Sequence, residues 1–146
     1  MTTGVDPLAT AITVLSTNWN PVNTSNKIPI FKKITDVKRY DFNQGDDVIF
    51  IQRSLQTIVP AGVGEANKHE TDTFNTDIRI IGAHREQHFF DVYEEVKRIY
   101  HQSKVSPSAD YDILEFDGVA TDLSDKTHHL FRVIIPTQLI RYNIPR

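Results

Sequence analysis

Residues Phe74 to Lys104 read FNTDIRIIGAHREQHFFDVYEEVKRIYHQSK, and within them one periodicity replaces another. Phe74, Thr76, Ile78 and Ile80 alternate with Asn75, Asp77, Arg79 and Ile81, the two-residue rhythm of a half-buried strand. Past Gly82 the period changes. Phe89, Val92, Val96 and Ile99 recur at helical spacing, with Phe90, Tyr93 and Tyr100 beside them, which predicts an amphipathic helix over about 84–104. Glu94 and Arg98 form an i,i+4 pair of favourable polarity, and His101 and Lys104 suit the negative end of a helix.

A first helix is expected over 6–19. Asp6 is a good N-cap and Pro7 occupies the first helical position, where its missing N–H costs nothing. Leu8, Ile12, Leu15 and Trp19 give that helix a narrow apolar face, and Asn20-Pro21 ends it. Ile28, Ile30, Phe31 and Ile34 suggest a strand, which Pro29 places near a sheet edge. Asn43 to Asp47 is a turn cluster. Val48 to Gln52 reads as a second strand that extends as far as Val59. Pro60 to Thr71 reads as a long polar loop. After the second helix, Ser106-Pro107-Ser108 is a break, and Tyr111 to Phe116 and Leu130 to Ile135 read as strands joined by a turn around Asp122 to Lys126. Residues 138–144 read as a last short strand beyond a kink at Pro136. The expected fold is α+β: a mostly antiparallel twisted sheet of four to six strands with two helices packed on one face, in a single domain spanning 1–146.

The chain has 146 residues, a net charge of -3 and 39% hydrophobic residues. That length supports a core without staples, and the acidic balance argues against a general phosphate-binding surface. With no cysteine there is no thiolate nucleophile, disulfide or cysteine zinc site. No signal peptide or membrane-spanning run is read in the sequence, so no membrane partner is expected.

The chemistry-bearing residues form few patterns. His84 and His88 stand four apart, but HREQH is not the H-E-x-x-H zinc motif. They would carry a metal-dependent hydrolase, one alternative reading. His128 and His129 are expected on opposite faces of a strand. Asp110, Asp112, Glu115 and Asp117 lack the glycine and ligand order of a calcium loop, and read instead as the wet face of a strand. Lys32, Lys33, Lys38 and Arg39, interleaved with Phe31, Tyr40 and Phe42, would carry a nucleic-acid-binding module, another alternative. Neither a G-x-S-x-G elbow nor a phosphate loop is present. No catalytic, cofactor-binding or metal residue is assigned, no cofactor is expected, and the chain is not expected to be an enzyme.

The element order resembles that of the tail terminator (tail completion) proteins of tailed viruses over nearly the whole chain. The likeness lies in the helix Asp6 to Trp19, the early strand Ile28 to Ile34, the strand-to-helix unit Asp72 to Ile81 with Phe89 to Tyr100, and the closing strand Leu130 to Ile135. The resemblance implies a virion structural protein of the tail and neck region, made in the host cytoplasm. It would be a homo-oligomeric ring, commonly a hexamer, that caps the tail tube and joins it to the neck or connector protein. Viral DNA would pass through the lumen without specific binding. Another neck or head-completion protein is the alternative within this class.

Overall fold

A computed structural model describes residues 6–34, 47–60 and 68–142. The elements are α1 (Pro7–Asn18), a 3-10 turn (Pro21–Thr24), β1 (Ile30–Ile34), β2 (Asp47–Pro60), β3 (Lys68–Ile81), α2 (Glu86–Gln102), β4 (Ile113–Phe116), β5 (Thr121–Asp122), a second 3-10 turn (Lys126–His128) and β6 (Leu130–Arg141). The fold is α+β, as expected.

The sheet has the order β1-β2-β3-β6-β4, with β5 also pairing β6. β1 runs parallel to β2, and every other pairing is antiparallel. Ile78 is flanked by Ile49 and Val133, and Thr76 by Ile51 and Ile135. Since side chains alternate across a sheet, these residues share one face. That face meets α1 and α2. Phe89, Val92, Val96 and Ile99 are all buried in one cluster with Leu8, Ala11, Leu15, Phe74 and Leu139. Each fully buried side chain of this kind contributes about 2 kcal/mol of transfer free energy. Ile12 lies only partly buried at the margin of the same cluster.

Three hydroxyls inside this core satisfy one another. The Tyr100 hydroxyl lies 2.9 Å from Thr76 Oγ1, which in turn lies 3.1 Å from Thr137 Oγ1, and Thr137 donates to the Ile135 carbonyl. Burial pushes the Tyr100 phenol above its ordinary range, against the opposing hydrogen bond with Thr76.

β1 and β4 start two residues later than expected, at Ile30 and Ile113, and β5 was not expected; three further differences bear on the fold. The first concerns Pro60 to Thr71. β2 runs to Pro60 and β3 already starts at Lys68, so only 61–67 separate them, and those residues lie outside the described set. The second concerns Pro136, which interrupts nothing, because β6 is one strand from Leu130 to Arg141. The Pro136 carbonyl accepts from Asp117 N–H at 2.8 Å, just past the end of β4, so its missing donor faces that short edge and removes no bond to β3. The third is α2, which spans Glu86–Gln102 and begins without a side-chain cap.

Among the described residues, no helix is long and apolar enough to cross a membrane.

Candidate functional site

Five buried carboxylates organise the polar chemistry, and each ties together elements that are distant in sequence. Asp47 opens β2 with a fully enclosed side chain. Its Oδ2 lies 2.5 Å from His88 Nε2, and its Oδ1 meets the Arg85 guanidinium at 2.7 Å as an ion pair without hydrogen-bond alignment. Lys27 Nζ is 3.7 Å away. The start of β2, the first turn of α2 and the segment before β1 are thereby fastened at one point. His84 does not join them: it precedes α2 in left-handed backbone (φ 59°) and is exposed. The two histidines therefore share no helix face, and no cluster of three metal-ligating residues occurs among the described residues.

Asp77 sits at the centre of the sheet face opposite the helices. Arg132 grips it with two bonds, Nε to Oδ1 at 3.0 Å and an Nη to Oδ2 at 2.9 Å, while Arg79 reaches Oδ2 at 2.8 Å. The Arg79 guanidinium also lies 4.7 Å from the centre of the Phe50 ring.

Glu95 of α2 accepts four hydrogen bonds. They come from Asn20 N–H at 2.7 Å, Asn23 Nδ2 at 3.1 Å, and Arg98 Nε and Nη at 2.5 and 2.9 Å. Burial is the largest single influence and pushes the carboxyl up, but the Arg98, Asn20 and Asn23 hydrogen bonds together hold it below its ordinary value. Arg98 also donates to the Asn18 carbonyl, so α1, the first 3-10 turn and α2 meet at this one side chain.

Glu70 and Asp72 lie two apart on β3 and face the helix side together. Tyr111 donates to Asp72 Oδ2 at 2.7 Å, and Arg141, directly across the ladder from Glu70, pairs with it. Burial raises the Asp72 pKa, opposed by the Tyr111 hydrogen bond and reinforced by the charge of Glu70 and its hydrogen bond. A raised carboxyl stabilises the fold fully below its unfolded value, and that contribution is lost as pH rises through the folded value. Asp72→Asn keeps an acceptor for Tyr111 and removes the repulsion from Glu70. Its melting temperature at pH 7 is expected to equal or exceed that of the parent, with the gain fading in acid; a fall of several degrees at pH 7 would refute a net repulsion between Asp72 and Glu70.

The remaining sequence candidates are dispersed. Asp112 accepts from Tyr142 N–H, and Glu115 accepts from Gln138 Nε2 at 2.6 Å, which is the behaviour of a strand rim and not of a calcium loop. His128 and His129 do not alternate along a strand. His128 ends a 3-10 turn with its ring on Asp125 at 2.6 Å, and His129 follows in left-handed backbone (φ 54°). Phe31 is turned inward, its ring 5.7 Å from that of Trp19 at 69°, so it offers no stacking platform beside the exposed Lys32 and Lys33. Lys38, Arg39, Tyr40 and Phe42 lie outside the described residues.

The two ends of the sheet are what sequence reading passed over. At the β1 end, Ile28 and Ile30 are 59% and 40% exposed. At the β4 end, Phe116 and Val119 are 38% and 85% exposed, beside a cavity of about 250 Å³ lined by Tyr100, His101, Lys104, Leu114, Glu115 and Phe116. The only signal in the sequence was an apolar residue set among charges, as in Glu115-Phe116-Asp117, which reads equally well as a core position. No protein-family model matches this chain, and no curated protein matches it significantly.

Proposed function

We propose that this protein is a virion structural subunit of the tail terminator kind, a ring that caps a tail tube and joins it to the neck. The observation that carries the reading is the open sheet, whose terminal strands β1 and β4 each have a single full strand neighbour among the described residues. Exposed apolar side chains stand at both ends, and such edges invite pairing with another chain unless they are covered. The one-sided helix layer and the element order agree with the family resemblance. The buried charged groups fit a scaffold role too: each is consumed in fastening elements of the same chain, so the work is geometric. A heterologous contact that closes by rotation makes a ring whose two faces differ, one for the tube and one for the neck. The acidic net charge suits a lumen through which DNA slides without specific binding.

Light scattering of the purified protein, followed by negative-stain imaging, tests this. Closed rings, alone or after addition of a tail-tube protein, are the expected result. A strict monomer that neither assembles nor binds tube protein would overturn the reading.

A further inference from the structure

We propose that the β4 edge and the cavity beside it are a docking site for the C-terminus of a partner protein whose last residue is apolar. The inference goes beyond the ring reading and does not depend on it.

The open backbone comes first. Along an antiparallel strand, successive residues turn their peptide groups to opposite neighbours. Asp117 N–H donates to the Pro136 carbonyl of β6 at 2.8 Å, in step with the pairing of Phe116 and Thr137. Leu114 and Phe116 therefore turn their peptide groups away from β6. Leu114 N–H donates to the Lys104 carbonyl, and Ser106 N–H to the Asp112 carbonyl, both at 2.8 Å. Residues 104–106 thus close the start of this edge. The N–H and C=O of Phe116 face outward, with no backbone partner among the described residues. An added strand can pair at Phe116 but meets 104–106 one step further, so a chain end fits here and a passing segment does not.

Charge selects which end. Lys104 and His101 line the cavity, are exposed, and have no side-chain partner among the described residues. Lys104 brings a positive charge and His101 a ring nitrogen able to donate, which together suit a carboxylate. Glu115 also lines the cavity. It stands across from Gln138 on the sheet face away from the helices, where its carboxylate accepts from Gln138 Nε2 at 2.6 Å, so its charge is held on the far side. A C-terminal residue placed opposite Phe116 and antiparallel to β4 donates its N–H to the Phe116 carbonyl. Its carboxylate accepts the Phe116 N–H and lies toward Lys104.

The pleat then places the last side chain. Residues directly opposite one another share a sheet face. Phe116 faces the helices, its ring 5.6 Å from that of Tyr100 at 61°. The ligand's last side chain points the same way, into the cavity of about 250 Å³ walled on its apolar side by Tyr100, Leu114 and Phe116. That volume is below the range of ordinary small-molecule sites and suits one apolar side chain with its carboxylate.

Two pools of N-terminally labelled hexapeptides ending in Val, Leu, Ile or Phe test this, one pool with a free carboxylate and one amidated. The free-acid pool is expected to bind the full chain saturably, by fluorescence anisotropy, and to move the Phe116 amide resonance. The amidated pool on the parent, and the free-acid pool on Lys104→Glu, should each bind roughly tenfold more weakly. Lys104→Glu should melt as the parent does, because only an exposed side chain changes. Equal binding of the two pools, or no binding at millimolar concentration, would overturn the inference. Isocaproate binding as tightly as the peptides would also overturn it, by making this a small-molecule site. Movement of the Phe116 amide on concentrating the protein alone would assign the edge to a second copy and overturn it as well.

Discussion

Val96→Asp is expected to abolish the cooperative melt. Val96 is completely buried on the inward stripe of α2, in the cluster that joins both helices to the sheet. A carboxylate placed there is set among the apolar side chains of that cluster, and burying a charge without a partner costs far more than losing a hydrophobic contact. The penalty of several kcal/mol rivals the whole stability of an ordinary domain. Circular dichroism on heating should show a broad, non-cooperative change, or the variant should be insoluble. Val96→Ala is the control, with a loss of about 2 kcal/mol and a sharp transition retained. A normal melting curve for the aspartate variant would refute the packing of α2 on the sheet.

The second large effect is expected at Glu95. Glu95→Ala removes all four hydrogen bonds and leaves Asn20 N–H, Asn23 and Arg98 without their acceptor. Breaking one side of such a buried network costs about 3 kcal/mol, which for a chain of this size is roughly 10 °C in melting temperature. Glu95→Gln keeps the shape and one acceptor and should cost about half as much. The pH dependence follows from the lowered carboxyl. Its contribution is fully present above the ordinary glutamate value and is lost as pH falls through the folded value. Parent and Glu95→Gln should therefore converge in stability in acid, as measured by denaturant titration at pH 7 and pH 3. A constant gap between them would show that the charge of Glu95 plays no part.

How far the sequence led can be judged at particular residues. α2 was legible because its inward positions are uniformly apolar, so hydropathy and burial follow the same period. The first half of β3 was not, because burial alternates there while hydropathy does not. Glu70 and Asp72 occupy inward positions and are satisfied by Arg141 and Tyr111, partners that no local pattern announces. Asp47 was read as part of a turn cluster for the same reason, since its partner His88 is 41 positions away. Pro136 suggested a break because the rule against proline inside a sheet depends on which side the missing donor faces, and sequence does not carry that fact. The exposed apolar residues at the sheet ends were hidden differently. Exposure of Ile30 and Phe116 is a property of strand order, and strand order emerges only once β6 has inserted between β3 and β4.

That insertion has a kinetic consequence. β2 and β3 are joined by only seven residues and can zip as a hairpin soon after they exist, whereas β3 and β6 begin their pairing at Ile81 and Leu130, 49 positions apart. At ordinary translation rates those positions are separated by roughly 3 to 10 s. During that interval the nascent chain holds a formed hairpin whose β3 edge has no β6 to cover it. Local pairing is fast and distant pairing slow, so this species outlives its own formation by a wide margin. The most aggregation-prone moment in the life of the molecule therefore comes before it is finished, and slower synthesis should lower its soluble yield.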